Sequence, residues 1–75
     1  GMDIFAIRLK ELRTEKGYTQ KQLAELLGTT DDSIFSWEKG RSQPPIEFIR
    51  LLCKALSVSA DYLLGLEDDT GAKQQ

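Results

Sequence analysis

The sequence predicts an all-α fold built as one domain of five short helices. Apolar residues recur at the three- and four-residue spacing of helices, and most of these segments begin near a capping side chain and end near glycine. No stretch alternates with period two for long enough to indicate a strand. The 75 residues are 40% hydrophobic and 29% charged, which is typical of a folded soluble domain. We therefore expect a compact domain over residues 1–66 and a frayed acidic, polar tail over residues 67–75.

The first three helices are indicated by their caps. Asp3 can cap the first helix and Gly17 can end it, and its apolar stripe consists of Phe5, Leu9 and Leu12. Thr19 and Gln22 form the capping-box pattern that opens the second helix, which ends before Gly28. Thr30 opens the third.

The last two helices follow a proline-containing loop. Gly40 ends the third helix, and Pro45 is suited to the first position of the fourth because its ring fixes a helical φ. Four residues of the fourth helix are spaced for burial: Ile46, Ile49, Leu52 and Leu56. Ser59 can cap a short fifth helix that ends before Gly65. The predicted helices thus cover residues 3–16, 20–27, 31–39, 45–56 and 60–64.

Composition excludes several classes of function. The chain has no histidine and one cysteine, Cys53, so the usual zinc ligand sets cannot form and the commonest general base is missing. We therefore expect that the protein is not an enzyme and that it binds no metal or cofactor. We interpret Cys53 as a buried structural thiol. No apolar run approaches the roughly 20 residues of a membrane span, and the first residues given do not have the basic-then-apolar pattern of a secretory signal. The expected location is the cytoplasm.

The net charge of −2 and a pI of about 5.0 do not suggest a nucleic-acid binder by themselves. Three of the acidic residues, however, lie in the tail: Glu67, Asp68 and Asp69. Residues 1–66 carry nine basic and nine acidic side chains and are neutral. The position of each charge therefore matters more than the total.

The third helix is predicted to project from the body of the domain. Only Ile34 and Trp37 are suitable inward anchors, and the opposite arc carries Asp31, Asp32, Phe35, Ser36 and Lys39. A tight link at Gly28 and Thr29 joins this helix to the one before it. Such a pair is a helix-turn-helix arrangement, in which the second helix can enter a major groove.

The chain also resembles a known family. The segment RLKELRTEKGYTQKQLAELLGTTDDSIFSWEKGRSQP, followed by LLCKALSVSADYLLG, is similar to the phage-repressor and Cro type of helix-turn-helix domain. This group is also called the xenobiotic-response-element family, and its domains are lambda-repressor-like. The resemblance covers residues 4–66 and implies five helices, with the third as the recognition helix, in a bacterial or phage-encoded protein.

The resemblance implies roles for individual residues. Four of them are expected near DNA phosphates: Gln20, Lys21, Lys39 and Arg41. For each, the alternative is a solvated charge or a local cap. Arg13 and Glu38 fall where the family has an ion pair between the first and third helices, whose expected role is orientation.

The positions that correspond to base readers hold Asp31, Asp32, Phe35 and Ser36, which is unusual for the family. An ionised Asp only accepts hydrogen bonds, so its base partner would be the amino group of cytosine or, second, of adenine. Both carboxylates could instead interact favourably with the positive end of the helix dipole. Phe35 could contact a thymine methyl, insert toward a base step, or bury itself in a protein partner.

The leading hypothesis is a sequence-specific DNA-binding transcriptional regulator, a repressor that binds a palindromic operator as a homodimer. Its partner is double-stranded DNA in the major groove, and the expected dimer surface comprises Tyr62, Leu63, Leu64 and Leu66. The alternative reading of Tyr62 and Leu63 is that they only close the core. A second hypothesis is a protein-interaction module or antitoxin that uses Asp31, Asp32 and Phe35 against a protein.

Overall fold

The structure, a computed structural model, describes residues 3–74 and contains five α-helices. In chain order they are α1 (Ile4–Glu15), α2 (Gln20–Leu27), α3 (Asp31–Glu38), α4 (Ile46–Leu56) and α5 (Ala60–Leu63). Within the described residues there is no β-strand, only an isolated antiparallel bridge between Glu67 and Lys73. The predicted all-α, five-helix fold is confirmed. Gly1, Met2 and Gln75 lie outside the described residues.

Side-chain caps begin four of the helices. These caps are Asp3, Thr19, Thr30 and Ser59. At α2 the capping box is complete, because the Thr19 hydroxyl accepts from the Gln22 N–H at 3.0 Å and the Gln22 side chain accepts from the Thr19 N–H at 2.9 Å. The helix bounds match the sequence prediction to within one residue at either end.

Pro45 lies just before α4, whereas the sequence predicted it to be the first residue of that helix. Its ψ of 155° is extended, so it is the residue before the helix, and it makes no side-chain cap hydrogen bond. Its carbonyl nevertheless accepts from the Phe48 N–H at 2.9 Å. Pro45 therefore precedes α4 and accepts a hydrogen bond from its first turn through the backbone oxygen.

The core lies between the helices and draws on all five. Its buried apolar residues are Phe5, Ala6, Leu9, Leu23, Ala24, Leu27, Ile34, Trp37, Leu52, Leu56 and Leu63. The rings of Trp37 and Phe48 add a tilted aromatic pair, with centroids 5.7 Å apart. α2 packs on α3 and α4, and α1 packs on α3 and α5, so α3 is held from behind by two helices.

Two apolar residues differ from the prediction in how far they are buried. Ile46, which was spaced for burial on α4, is 84% exposed. It is the first residue of that helix and projects beyond the elements that cover Leu52 and Leu56. Leu63, which was assigned to a dimer surface, is fully buried and closes the core from α5.

The segment after α5 forms a turn, whereas its sequence predicted a frayed tail. The Asp68 carboxylate accepts hydrogen bonds from the Thr70 N–H at 2.9 Å and the Ala72 N–H at 3.0 Å. The chain then returns so that the Gln74 N–H donates to the Leu66 carbonyl at 2.8 Å. This turn, residues 66–74, depends on side-chain hydrogen bonds and therefore leaves no periodic pattern in the sequence. Among residues 3–74, no helix is long and apolar enough to cross a membrane.

Candidate nucleic-acid interface

A short link orients α3 on α2. Gly28 has the left-handed φ of 75° that ends α2, and the next N–H, of Thr29, donates back to the Ala24 carbonyl at 2.9 Å. Thr30 then caps α3, since its hydroxyl accepts from the Ser33 N–H at 3.2 Å. Ile34 and Trp37 point into the core, as the sequence predicted. The remaining arc of α3 therefore faces outward.

A buried polar cluster fixes α3 against α1. The Arg13 guanidinium donates from Nε to Glu38 Oε2 at 2.6 Å and from Nη2 to Glu38 Oε1 at 3.1 Å. The Arg13 and Glu38 side chains are only 10% and 3% exposed. Arg13 Nη1 also donates to the Tyr18 carbonyl at 2.8 Å, which ties in the loop before α2. The ion pair that the family resemblance implied is thus present and joins three segments of the chain.

Gln20 belongs to the same cluster. Its Nε2 donates to Glu38 Oε1 at 3.1 Å, so the side chain reaches the C-terminal end of α3. The family resemblance instead implied a phosphate contact for Gln20. An amide nitrogen has two hydrogens, so one donor remains after the bond to Glu38. The hydrogen bond to Glu38 gives Gln20 a part in orienting α3, and its contact with a phosphate stays a prediction. Lys21, beside it on α2, is exposed.

The N-terminal half of the outward face of α3 is acidic. Asp31 Oδ1 accepts a hydrogen bond from the Asp32 N–H at 3.0 Å, so this carboxylate binds a free donor of the first turn. Asp31 and Asp32 are both exposed. Asp31 therefore serves its own helix, while Asp32 is the carboxylate that the structure leaves directed to solvent.

The C-terminal half of that face is cationic. The Phe35 ring is 38% exposed, with Lys39 Nζ 5.6 Å and Arg41 Cζ 5.4 Å from its centroid. Both distances are within the range of cation–π attraction. Arg41 reaches the ring because its N–H donates to the Ser36 carbonyl at 3.0 Å, which wraps the chain around the end of α3. Phe35 and the two cations therefore form one surface, the cationic end of α3.

Ser42 joins this interface, although it was not among the residues predicted from the sequence. Its hydroxyl lies 2.7 Å from the hydroxyl of Ser36, and both groups can donate and accept. The four-residue spacing of Phe35 and Lys39 is visible in the sequence and could have predicted their contact. The Ser36–Ser42 contact leaves no such signal, because it depends on the conformation of the turn at Gly40.

The residues expected at a dimer surface divide into two groups. Tyr62 is half-buried beneath Arg8, whose Cζ is 4.0 Å from the ring centroid, and Leu63 is in the core. Leu64 and Leu66 are 47% and 51% exposed. Of these four residues, Leu64 and Leu66 therefore offer the apolar surface that a second molecule could cover.

The single thiol and the acidic groups show no metal-binding arrangement. Within residues 3–74, no three or more Cys, Asp or Glu side chains are grouped as metal ligands would be. Partial burial raises the pKa of the Cys53 thiol, which lowers its thiolate fraction. Cys53 is half-buried rather than fully buried, and it lines a surface groove.

The chain matches a helix-turn-helix family model over residues 9–63. The prophage-derived transcriptional regulator YonR of Bacillus subtilis is 39% identical over 61 residues. That alignment covers 81% of this chain and 56% of YonR, so the chain spans little more than half of this relative.

Solved structures agree with the family match. The P22 c2 repressor, in complex with a synthetic operator, superposes with a TM-score of 0.77 at 32% identity, covering 80% of this chain and 91% of that one. The biofilm regulator SinR in complex with DNA gives 0.74 at 34% identity, covering 80% and 97%. The chain thus belongs to the helix-turn-helix family of transcriptional regulators, in the phage-repressor and Cro-type group that its sequence resembles.

Proposed function

We propose that this protein is a sequence-specific DNA-binding regulator, a repressor that binds a palindromic operator as a homodimer. The observation that carries the proposal is the cationic end of α3, where Lys39 and Arg41 flank the exposed ring of Phe35. The similarity to the P22 c2 repressor and SinR, both solved with DNA, supports the same conclusion.

Phosphate contacts supply the attraction in this proposal. Lys39 and Arg41 are exposed and adjacent at the end of the projecting helix, and the exposed Lys21 lies near the start of α2. Cations on both sides of a helix that enters the major groove can meet the two phosphate backbones and fix its register. The remaining N–H of Gln20 and the free amides at the start of α2 would add to these contacts.

The base-reading set would combine acceptors, hydroxyls and one apolar contact. Asp32 accepts only, so it would select a base amino group, with cytosine preferred. Ser36 would act together with Ser42, whose hydroxyl it touches. Phe35 would press on a thymine methyl beside the phosphates that Lys39 and Arg41 bind. This combination favours a site in which cytosine and thymine are neighbours on one strand.

A protein-interaction module or antitoxin remains the second candidate, and Asp31 with Asp32 favours it. That reading requires an acidic rim around an aromatic anchor. In the structure, however, the groups that flank the Phe35 ring are cations. Asp31, moreover, is hydrogen-bonded to its own helix. The local charge around Phe35 therefore favours a polyanion over a basic protein.

The test is selection from a randomised duplex pool, with sequencing of the bound fraction at two salt concentrations. We expect an enriched palindrome whose affinity falls as salt rises. Arg41→Ala should weaken binding to all sequences and reduce the salt slope by about 1, whereas Asp32→Ala and Ser36→Ala should change base preference. Lys10→Ala, an exposed cation on α1, is the matched control and should leave both unchanged.

Folded protein that binds no duplex at low salt would overturn the proposal, because it would show that the cationic end of α3 does not serve DNA. A protein partner that buries Phe35 would then become the leading hypothesis. Equal salt slopes for the Arg41→Ala variant and the parent would remove only Arg41 from the phosphate contacts.

A further inference from the structure

Two side chains of different chemistry are neighbours on the outward face of α3. Asp32 and Phe35 are three residues apart, so their Cβ atoms are about 5–6 Å from one another on one side of the helix. The exposed Asp32 carboxylate accepts no hydrogen bond from residues 3–74, unlike the carboxylate of Asp31. The Phe35 ring is 38% exposed. A hydrogen-bond acceptor and an apolar surface are therefore presented together.

Asp32 restricts the base edge that this part of α3 can meet in a major groove. A carboxylate only accepts hydrogen bonds, and the donors on the base edges there are the amino groups of cytosine and adenine. Guanine presents only acceptors, and thymine presents an oxygen where cytosine has its amino group, so both repel a carboxylate. Adenine carries the N7 acceptor beside its amino group. Cytosine is therefore the base edge that suits Asp32 best.

Phe35 requires an apolar group beside that amino group. The apolar group in the major groove is a methyl on C5 of a pyrimidine, which thymine carries and unmodified cytosine lacks. A thymine next to the cytosine would also bring its 4-oxygen close to the Asp32 carboxylate, since successive bases of a strand are only ~3.4 Å apart. In 5-methylcytosine the methyl group and the 4-amino group lie on adjacent ring atoms, and the 4-oxygen is absent. One base thus satisfies both side chains.

We propose that Asp32 and Phe35 together bind 5-methylcytosine, so that the protein distinguishes methylated from unmethylated duplex DNA. Asp32 accepts from the 4-amino group, and the Phe35 ring covers the C5 methyl. The inference rests on the proposed DNA-binding function, and it gives to one base the two contacts that were divided there between a cytosine and a neighbouring thymine. The affinity for the operator then depends on its methylation.

The cations beside Phe35 allow a carboxylate to approach DNA. Lys39 Nζ and Arg41 Cζ are 5.6 and 5.4 Å from the centroid of the ring, so the ring lies next to groups that bind phosphates. Their attraction to the backbone offsets the repulsion between Asp32 and the phosphates. These contacts are the same for both forms of cytosine. Methylation therefore changes the affinity through the contact with Phe35.

Four pyrimidines test the two contacts separately. The randomised pool is prepared twice, with cytosine or with 5-methylcytosine in both strands, and a selected duplex is resynthesised with cytosine, 5-methylcytosine, uracil or thymine at one pyrimidine position at a time. The first two bases differ only in the methyl group, as do the last two, and the opposite purine is unchanged within each pair. Burial of one methyl should tighten binding ~4-fold, and ~16-fold when both half-sites carry it. Fluorescence anisotropy at constant salt measures the dissociation constants.

Variants assign each contact to its residue. Phe35→Ala should remove the preference for the methyl group and keep the preference for cytosine over uracil. Asp32→Asn should do the reverse, because asparagine donates as well as accepts and no longer rejects the 4-oxygen. Leu26→Ala, at an exposed apolar position on α2, is the matched control and should keep both preferences. The comparison of cytosine with 5-methylcytosine uses the parent protein, so it does not depend on the folding of any variant.

The outcomes separate the reading of 5-methylcytosine from DNA binding itself. One position at which Phe35 governs the methyl effect and Asp32 governs the amino effect would establish the inference. A bound duplex with equal or weaker affinity for 5-methylcytosine at every position would overturn it and leave the proposed function intact. Amino and methyl effects at two neighbouring positions would do the same, because the site is then a step of cytosine and thymine. Folded protein that binds neither pool would overturn the proposed function as well.

Discussion

Two ion-pair clusters fasten chain segments in this domain, and they differ in burial. Arg13 and Glu38 join α1 to α3 with side chains that are 10% and 3% exposed. Lys73, in the turn after α5, pairs with Asp61 of α5 and with Glu67 of the same turn, and its side chain is 66% exposed. The first cluster excludes water and adds bonds from Gln20 and to the Tyr18 carbonyl. The buried pair therefore fixes one helix against another, whereas the exposed cluster holds only a turn at the surface.

The comparison shows what positions the candidate interface. α3 carries only two large residues into the core, Ile34 and Trp37, so its orientation depends on the polar cluster at its C-terminal end. Lys39 and Arg41 follow directly after Glu38 in the chain. The buried ion pair thus holds the segment from which the cations project, whereas the exposed cluster holds only the turn 66–74.

Breaking the buried pair should have the largest effect. Glu38→Ala leaves the Arg13 guanidinium buried without its carboxylate, and we expect the free energy of unfolding to fall by ~3–5 kcal/mol. A 75-residue domain has a total stability of roughly 4–11 kcal/mol, so this loss approaches unfolding. Urea denaturation followed by circular dichroism measures it.

A double variant sharpens that result. Replacing both charges, with Arg13→Met and Glu38→Leu, removes the unpaired ion and should restore most of the stability lost in Glu38→Ala. The orientation of α3 would then rest on apolar packing alone, and duplex binding should weaken even though the domain is folded. If Glu38→Ala costs less than ~1 kcal/mol, the buried pair behaves like a surface pair and the contrast between the clusters fails.

Gly40 tests the contact between the end of α3 and the start of α1. It has a left-handed φ of 69°, and a Cβ built there would lie 3.3 Å from Asp3 Oδ2. Gly17 has a similar φ of 80° with no atom within 4 Å of its Cβ position, so it is the matched control. Both alanine variants should lose about 1–2 kcal/mol from backbone strain, and Gly40→Ala should lose more. Thermal unfolding of the two variants measures this difference in stability. Equal losses would mean that the Asp3 side chain moves aside without cost.

The sequence predicted the helices well because their signals are local. Thr19 with Gln22 and the glycine after each of the first two helices act within a few residues, and the structure places helix ends there. Spacing was less reliable for burial. Ile46 matches the apolar period of α4, yet periodicity cannot show that no other element covers the first turn of that helix.

The site was predictable where the family pattern or local spacing applied. Arg13 with Glu38 came from the resemblance, and Phe35 with Lys39 lies at helical spacing. The bond from Gln20 to Glu38 joins residues 18 apart, and it depends on how α2 and α3 cross. Such contacts between elements carry no short-range signal, which is why Gln20 was first assigned to a phosphate.

The exposed cluster should respond to pH without affecting the domain. A hydrogen bond from Lys73 lowers the pKa of Glu67 from its ordinary 4.5, and hydrogen bonds from Thr70 lower the pKa of Asp68 from 3.8. Hydrogen bonding to Asp61 raises the pKa of Lys73 from 10.5. The carboxylates therefore stabilise the turn fully above about pH 4.5 and lose this effect as they protonate, while Lys73 stabilises it fully below pH 10.5 and loses its effect above.

We therefore expect the turn 66–74 to be closed at pH 7 and to open as the pH falls through the lowered pKa values of Glu67 and Asp68, while the helices keep their amide signals. The Thr70, Ala72 and Gln74 amides donate within the turn, so their NMR shifts report its opening. Lys73→Ala should loosen the same amides at pH 7 and leave the thermal midpoint of the domain unchanged, because an exposed pair contributes little. A shifted midpoint would show that the turn supports α5, and the two clusters would then differ less than their burial implies.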